Sequence, residues 1–96
     1  MVRMPDLMVN LDGRTVPLAD CHWVLFDADG CAEGSLFGRC AVDEEQAHQE
    51  LRPLKRDRDR EARRGYQVRL LTREQWRRDA KPCLLGRCEH RKGGAA

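Results

Sequence analysis

The sequence predicts an α+β fold: a small two-layer sandwich in which a mainly antiparallel sheet of three to five strands carries one long charged helix and one short helix. Three observations lead there. Short apolar runs broken by Gly- and Asp-containing turns fill residues 7–38. A densely charged stretch with helical spacing follows over 43–64, and a period-two strand leads into a helix-capping signature over 66–80. With 96 residues, the chain is expected to form one domain over 1–90, with a flexible tail over 91–96.

Leu7–Leu11 and Arg14–Leu18 flank Asp12-Gly13, a dipeptide that favours a tight hairpin turn with positive φ at both central positions. Cys21–Phe26 is apolar at consecutive positions, so it reads as a strand covered on both faces. Asp27–Gly30 turns the chain, and Ala32–Gly38 returns as a weaker strand in which Gly34 and Gly38 mark a bulge and an exit. Asp43 then caps a helix, with Gln46 at the reciprocal position of a capping box. Ala47, Leu51, Leu54 and Ala62 give that helix a narrow apolar stripe. Pro53 interrupts it, which predicts a kink or two consecutive helices. Gly65 stops the helical run. Tyr66, Val68 and Leu70 alternate with polar residues as a half-buried strand. Thr72 and Gln75 form a second capping box, Trp76 and Ala80 share one face of the short helix it starts, and Pro82 closes that helix.

Composition narrows the function classes. No run approaches the roughly 20 apolar residues of a membrane span, and the first residues show no secretion signal, so a cytoplasmic chain is expected. In that compartment the five Cys read as thiols or metal ligands rather than disulfides. The net charge of +2 conceals an asymmetry: residues 1–50 hold three basic and ten acidic residues, residues 51–96 fifteen basic and six acidic. Fifteen of the eighteen cations are Arg, whose planar fork suits phosphate or carboxylate. The candidate contact residues are Arg56, Arg60, Arg63, Arg64, Arg73, Arg77 and Arg78, and the partner they imply is nucleic acid or an acidic protein surface. The competing reading is a solvated face laced with ion pairs.

Cys83-x4-Cys88-x-His90 is the second constellation. Three zinc-compatible ligands within eight residues, around a Gly that lets the chain curl, suit a tetrahedral Zn²⁺. A fourth ligand is available from Cys21, His22, Cys31 or Cys40. Cys21 or His22, at the start of the central strand, is favoured, because a metal there ties the C-terminal segment to the sheet. The competing reading treats these Cys as small buried apolar residues.

The third constellation follows the central strand. Val24-Leu25-Phe26-Asp27-Ala28-Asp29-Gly30 resembles motif I of the haloacid dehalogenase superfamily of Mg²⁺-dependent phosphatases, and Gly65–Thr72 resembles its motif II. The resemblance implies Asp27 as nucleophile, Asp29 as general acid and base, Thr72 as a phosphoryl contact and Mg²⁺ as cofactor. After Thr72, however, the chain offers no Lys on a strand and no acidic pair to complete such a site. A turn also favours Asp and Gly in this pattern. Separately, Trp-x-Leu-x-Asp-x-Asp-Gly-Cys at Trp23–Cys31, with the charged helix and the Gly-x-x-Val-x-Leu strand, is similar to small proteins of actinobacteria and their phages. That likeness implies a phage or mobile-element accessory role and no particular activity. The resulting expectation is a zinc-stabilised binding module without catalysis, and its alternative a minimal phosphoryl-transfer or phosphate-binding domain using Asp27 and Asp29.

Overall fold

The computed structural model describes residues 7–89. The N-terminal residues 1–6, the tail expected over 91–96 and the ligand candidate His90 lie outside them. Strand β1 (Met8–Leu11) pairs antiparallel with β2 (Arg14–Pro17), with Met8 opposite Pro17 and Leu11 opposite Arg14. Asp12 and Gly13 take φ of 53° and 75°, the left-handed values that let a two-residue turn follow the twist of a hairpin. The pairing continues for one more bond, from Leu18 N to Leu7 O at 2.6 Å.

A second, three-stranded sheet is built on β3 (Cys21–Phe26), with β4 (Ala32–Phe37) on one edge and β5 (Gln67–Thr72) on the other. Both neighbours run antiparallel to β3. The β4 register places Leu25 opposite Gly34 but Phe26 opposite Ala32, so Glu33 is the extra residue of a bulge beside Gly34. Trp23 donates its indole N–H to Gly38 O and Ala41 O, both at 3.1 Å, in the single-turn segment that leaves β4.

Side chains alternate across β3, and both faces are buried. Trp23 packs with Leu36, Val68, Leu70 and Ala47, where Ala47 belongs to helix α1 (Glu44–Leu51). Val24 and Phe26 pack on the opposite face with Ala32, Leu71, Ala80 and Cys83. These last two residues belong to the segment of α3 (Arg73–Asp79) and α4 (Lys81–Leu84). The α+β class and antiparallel sheet are as expected, but the layering differs from two: helices cover the three-stranded sheet on both sides. The reason is the consecutive apolar run of β3, which leaves neither face fit for water. Val24 and Leu25 are fully buried, and each stabilises the fold by about 1.5–3 kcal/mol through burial.

Pro53 divides the charged stretch into two helices, α1 and α2 (Lys55–Arg63). The break is sealed by Arg58, whose guanidinium donates to Arg52 O at 2.8 Å and Pro53 O at 2.7 Å. Arg52 O is a carbonyl that the end of α1 leaves without an intrahelical partner, and Pro53 O lies in the link between the helices. Glu61 of α2 then accepts from Arg52 Nε at 2.7 Å and meets His48 Nε2 at 2.9 Å, fastening α2 to α1. Asp43 caps α1 through Gln46 N, while the Gln46 side chain reaches Val42 N, one residue short of the reciprocal bond expected. The Thr72–Gln75 box forms in both directions. Pro82 was expected to close the short helix. Instead α3 stops at Asp79, and Pro82 lies in the first turn of α4, where its missing N–H has no helical acceptor to lose. The hairpin rests on α3 through Arg14–Glu74 and Asp12–Gln75 contacts.

Gly38 marks the tightest point of the fold. A Cβ there would stand 1.8 Å from Leu18 O and 3.0 Å from Cys21 O, both backbone atoms unable to step aside. Gly38→Ala is therefore expected to lower stability by about 3 kcal/mol or more, at or beyond the upper end of ordinary overpacking. Denaturant unfolding of the two proteins measures the difference.

Candidate metal centre

The turn after β3 sets the first ligand candidate. One Asp27 carboxylate oxygen accepts from Asp29 N and from Cys31 N, both at 2.9 Å. Gly30, at φ 83°, supplies the left-handed step. Asp27 N also donates to Cys31 O at 2.9 Å. The chain is thereby reversed in four residues, and Cys31 is delivered buried at the end of the sheet, next to Phe26 and Ala32.

The other two come from the C-terminal segment. Cys83 lies inside α4, which ends in a Schellman motif: Arg87 N donates to Pro82 O at 2.7 Å and Gly86 N to Cys83 O at 3.1 Å. Gly86 has φ 73° with nothing near the site of a Cβ. This reversal carries Cys88 back beside Cys83. The sulfurs of Cys31, Cys83 and Cys88 lie within 4.8 Å of one another, and all three residues are buried. Cys31 Sγ and Cys88 Sγ are 3.6 Å apart, far beyond the roughly 2.05 Å of a disulfide. Tetrahedral zinc with Zn–S bonds of about 2.3 Å puts its sulfurs about 3.8 Å apart. Three buried cysteines close together can thus serve as one face of a metal site.

Of the expected ligands, the structure brings Cys83 and Cys88 together and joins them to Cys31, not to Cys21 or His22. Cys21 begins β3 and Phe26 ends it, a span of roughly 16 Å at strand rise. The Cys21 thiol turns instead toward Pro17 O at 3.5 Å, and burial, with Asp20 nearby, pushes its pKa up. His22 shares the face of Phe26 but stacks on Trp76, with ring centroids 4.6 Å apart, and tilts against Phe37 at 5.6 Å. Cys40 is exposed. The signal that favours Cys31 is its place at the end of the Asp27–Gly30 turn, at the opposite end of β3 from Cys21.

The phosphatase-like pieces are held apart. Cys21 pairs with Thr72 and Phe26 with Gln67, so antiparallel pairing puts Asp27 and Thr72 at opposite ends of β3. One phosphoryl group cannot touch both. Asp27 is engaged in holding the turn, and Asp29 is exposed beside it. Thr72 is buried and its hydroxyl accepts from Gln75 N at 3.2 Å.

The arginines do not gather into one patch either. Arg56, Arg60, Arg63 and Arg64 lie along α2 and its C-cap, on the side of α1, while Arg73, Arg77 and Arg78 lie on α3, on the other side of the sheet. Several are spent within the chain: Arg56 and Arg60 face Asp57 at 3.9 and 3.6 Å, and Arg78 holds Asp79 with two bonds of 2.9 and 3.0 Å. Asp79 is accordingly held below the usual carboxylate range by Arg78. Arg63, Arg64, Arg73 and Arg77 are exposed and make no ion pair among the described residues. A groove of about 730 Å³ opens between the Asp27–Gly30 turn and α4, and Cys83 and Cys88 lie in its lining. Its charged lining is balanced, with Arg69, Arg78 and Arg87 against Asp27, Asp79 and Glu89.

Among the described residues no helix is long and apolar enough to cross a membrane. Comparison with protein-family models, curated proteins and solved structures returns no match.

Burial beneath Trp76, and the nearby positive charge of Arg73, lower the His22 pKa from its ordinary value. The folded state therefore prefers neutral imidazole. This contribution is complete above about pH 6.5, the unfolded value, and is lost as pH falls through the lower folded value. Replacing His22 by Phe is expected to flatten the fall in stability between about pH 6.5 and 5, where His titration dominates over that of carboxylates. Denaturant unfolding at a series of pH values checks this.

Proposed function

We propose that this protein is a non-catalytic binding module whose C-terminal segment is stapled to the sheet by Zn²⁺ on Cys31, Cys83 and Cys88. The observation that carries the reading is the convergence of these three buried sulfurs, from two segments far apart in sequence, within 4.8 Å of one another, with Cys31 and Cys88 at 3.6 Å, near the spacing of tetrahedral thiolate ligands. Sulfur donors favour Zn²⁺ over Mg²⁺ or Ca²⁺, which take oxygen ligands. His90, two residues beyond Cys88 in sequence, is the candidate fourth ligand. A structural zinc supplies about 10–16 kcal/mol of apparent binding energy in small peptides. A small, highly charged domain with little core gains most from such a staple.

What the module binds is read from its cations. Exposed Arg63, Arg64, Arg73 and Arg77 are available to an extended polyanion, and nucleic acid is the partner we favour; an acidic protein surface is the alternative. An accessory role in a phage or mobile element is compatible with this reading and rests only on the sequence likeness. The separation of Asp27 from Thr72 speaks against the phosphoryl-transfer alternative.

Purified under reducing conditions, the protein is expected to carry one zinc per chain by elemental analysis. Cys31→Ser and Cys83→Ser should lose it, and Cys21→Ser should retain it. Zinc absent from the unaltered protein, or lost equally in Cys21→Ser, rejects the site. Binding to single- and double-stranded oligonucleotides should weaken as salt rises. About two phosphate contacts, from Arg73 and Arg77 on one side of the sheet, correspond to a log–log slope near −1.8 on duplex DNA, and charge reversal at these two residues should reduce it. Affinity for acidic peptides but not for oligonucleotides would select the protein partner.

A further inference from the structure

We infer that Cys31 and Cys88 form a peroxide-sensitive pair whose oxidation opens the metal centre, an inference that rests on the zinc reading above. Three observations carry it. The two sulfurs stand 3.6 Å apart, so a bond between them needs a closure of about 1.5 Å. They sit on segments 57 residues apart, and the turns that position them do not join them directly. Cys88, with Cys83, lines the groove beside the Asp27–Gly30 turn and is the more exposed of the two, at 5% against 1%, so an oxidant in that groove meets Cys88 first. Cys31 is not in that lining.

Access decides the order of events. The Cys88 thiolate attacks one oxygen of hydrogen peroxide, the O–O bond breaks, and the sulfur becomes a sulfenic acid while hydroxide leaves and is protonated to water. The Cys31 thiolate then attacks the Cys88 sulfur, the S–O bond breaks, and a second hydroxide leaves as water. Two thiolates, one peroxide and two protons thus give one disulfide and two waters. The two electrons lost by sulfur are those gained by peroxide oxygen. Two of the three sulfur donors are consumed, and the metal is left with Cys83 and whatever fourth ligand it holds. Zinc itself changes no oxidation state. Because the metal fastens the C-terminal segment to the sheet, the disulfide takes over that connection rather than releasing it. The segment stays attached while the coordination is lost.

The test uses the full zinc-loaded chain, with Cys40→Ser as background so that the exposed thiol does not contribute. Hydrogen peroxide should release one zinc per disulfide formed, read with a chromogenic chelator. Peptide mapping should find Cys31 linked to Cys88, and a dithiol reductant with added zinc should restore the starting state. Cys83→Ser, which lacks one donor but keeps the pair, should still form the Cys31–Cys88 link when oxidised. Zinc retained with Cys31 and Cys88 still reduced, or a link from Cys83 to Cys88 in place of the expected one, overturns the pair while leaving the zinc site standing. If the chain with Cys83 intact holds no zinc but forms the disulfide, the zinc reading is rejected, and the pair as a metal-release device with it.

Discussion

Strand β3 is constrained from four directions, and the rest of the structure follows from that. Its two edges are hydrogen-bonded to β4 and β5, and its two faces bury different clusters under different helices. Only two Phe, two Trp and one Tyr serve the whole chain, so the apolar material is placed where one residue supports several elements. Trp23 shows this best. Its ring packs under α1 while its N–H closes on two carbonyls beyond β4. A buried indole needs such a partner, and here the partner is the segment that leads into α1. One side chain therefore fixes both the packing of the helix and the route by which the chain reaches it.

The charged stretch obeys a different logic. Helix α2 has no buried residue and is retained by polar contacts rather than a core. Glu61 bridges His48 and Arg52, and Arg52 also approaches Glu33 at 3.7 Å, which connects α1, α2 and the β4 bulge. These side chains are largely shielded, unlike Lys55 and Asp59 at the surface, so the network contributes more than an isolated exposed pair. The charge imbalance of the second half of the chain is thus reduced locally before any partner is met. That is why counting arginines overstates the basic surface: Arg52, Arg58 and Arg78 are structural donors, and those left over lie on two sides of the sheet.

Legibility in the sequence tracked the range of the interactions. Local signals were readable: the Asp12-Gly13 hairpin, the break at Pro53, the stop at Gly65 and the Thr72–Gln75 box depend on residues within a few positions of one another. The return strand and the bulge near Gly34 were also visible, because glycine inside a strand has few other uses. Layering was harder. The double-sided burial of β3 was legible, but placing α3 and α4 opposite α1 depends on long-range packing of Ala80 and Cys83 that no local pattern encodes. Helix α4 was missed because Pro82 reads equally as the end of one helix and the opening turn of the next. Cys83 and Cys88 were identifiable from spacing, since Gly86 makes their approach a local matter. Their third companion was not, because choosing among Cys21, His22 and Cys31 requires the direction in which α3 crosses the sheet.

That direction explains why the turn after β3 matters to the cysteine cluster. Helix α3 starts where β5 ends, beside Cys21 and His22, and runs back along the face toward Phe26. Any ligand in the segment after it must therefore meet the far end of β3, not the near end. The group waiting there is fixed by Asp27, whose carboxylate holds Cys31 N as firmly as it holds Asp29 N. A carboxylate accepting two backbone bonds is a strong local restraint, and it removes freedom that a metal ligand would otherwise lose on binding. The Asp-x-Asp-Gly-Cys pattern is then a single structural device. The aspartate shapes the turn, the glycine permits it, and the cysteine is what the turn presents.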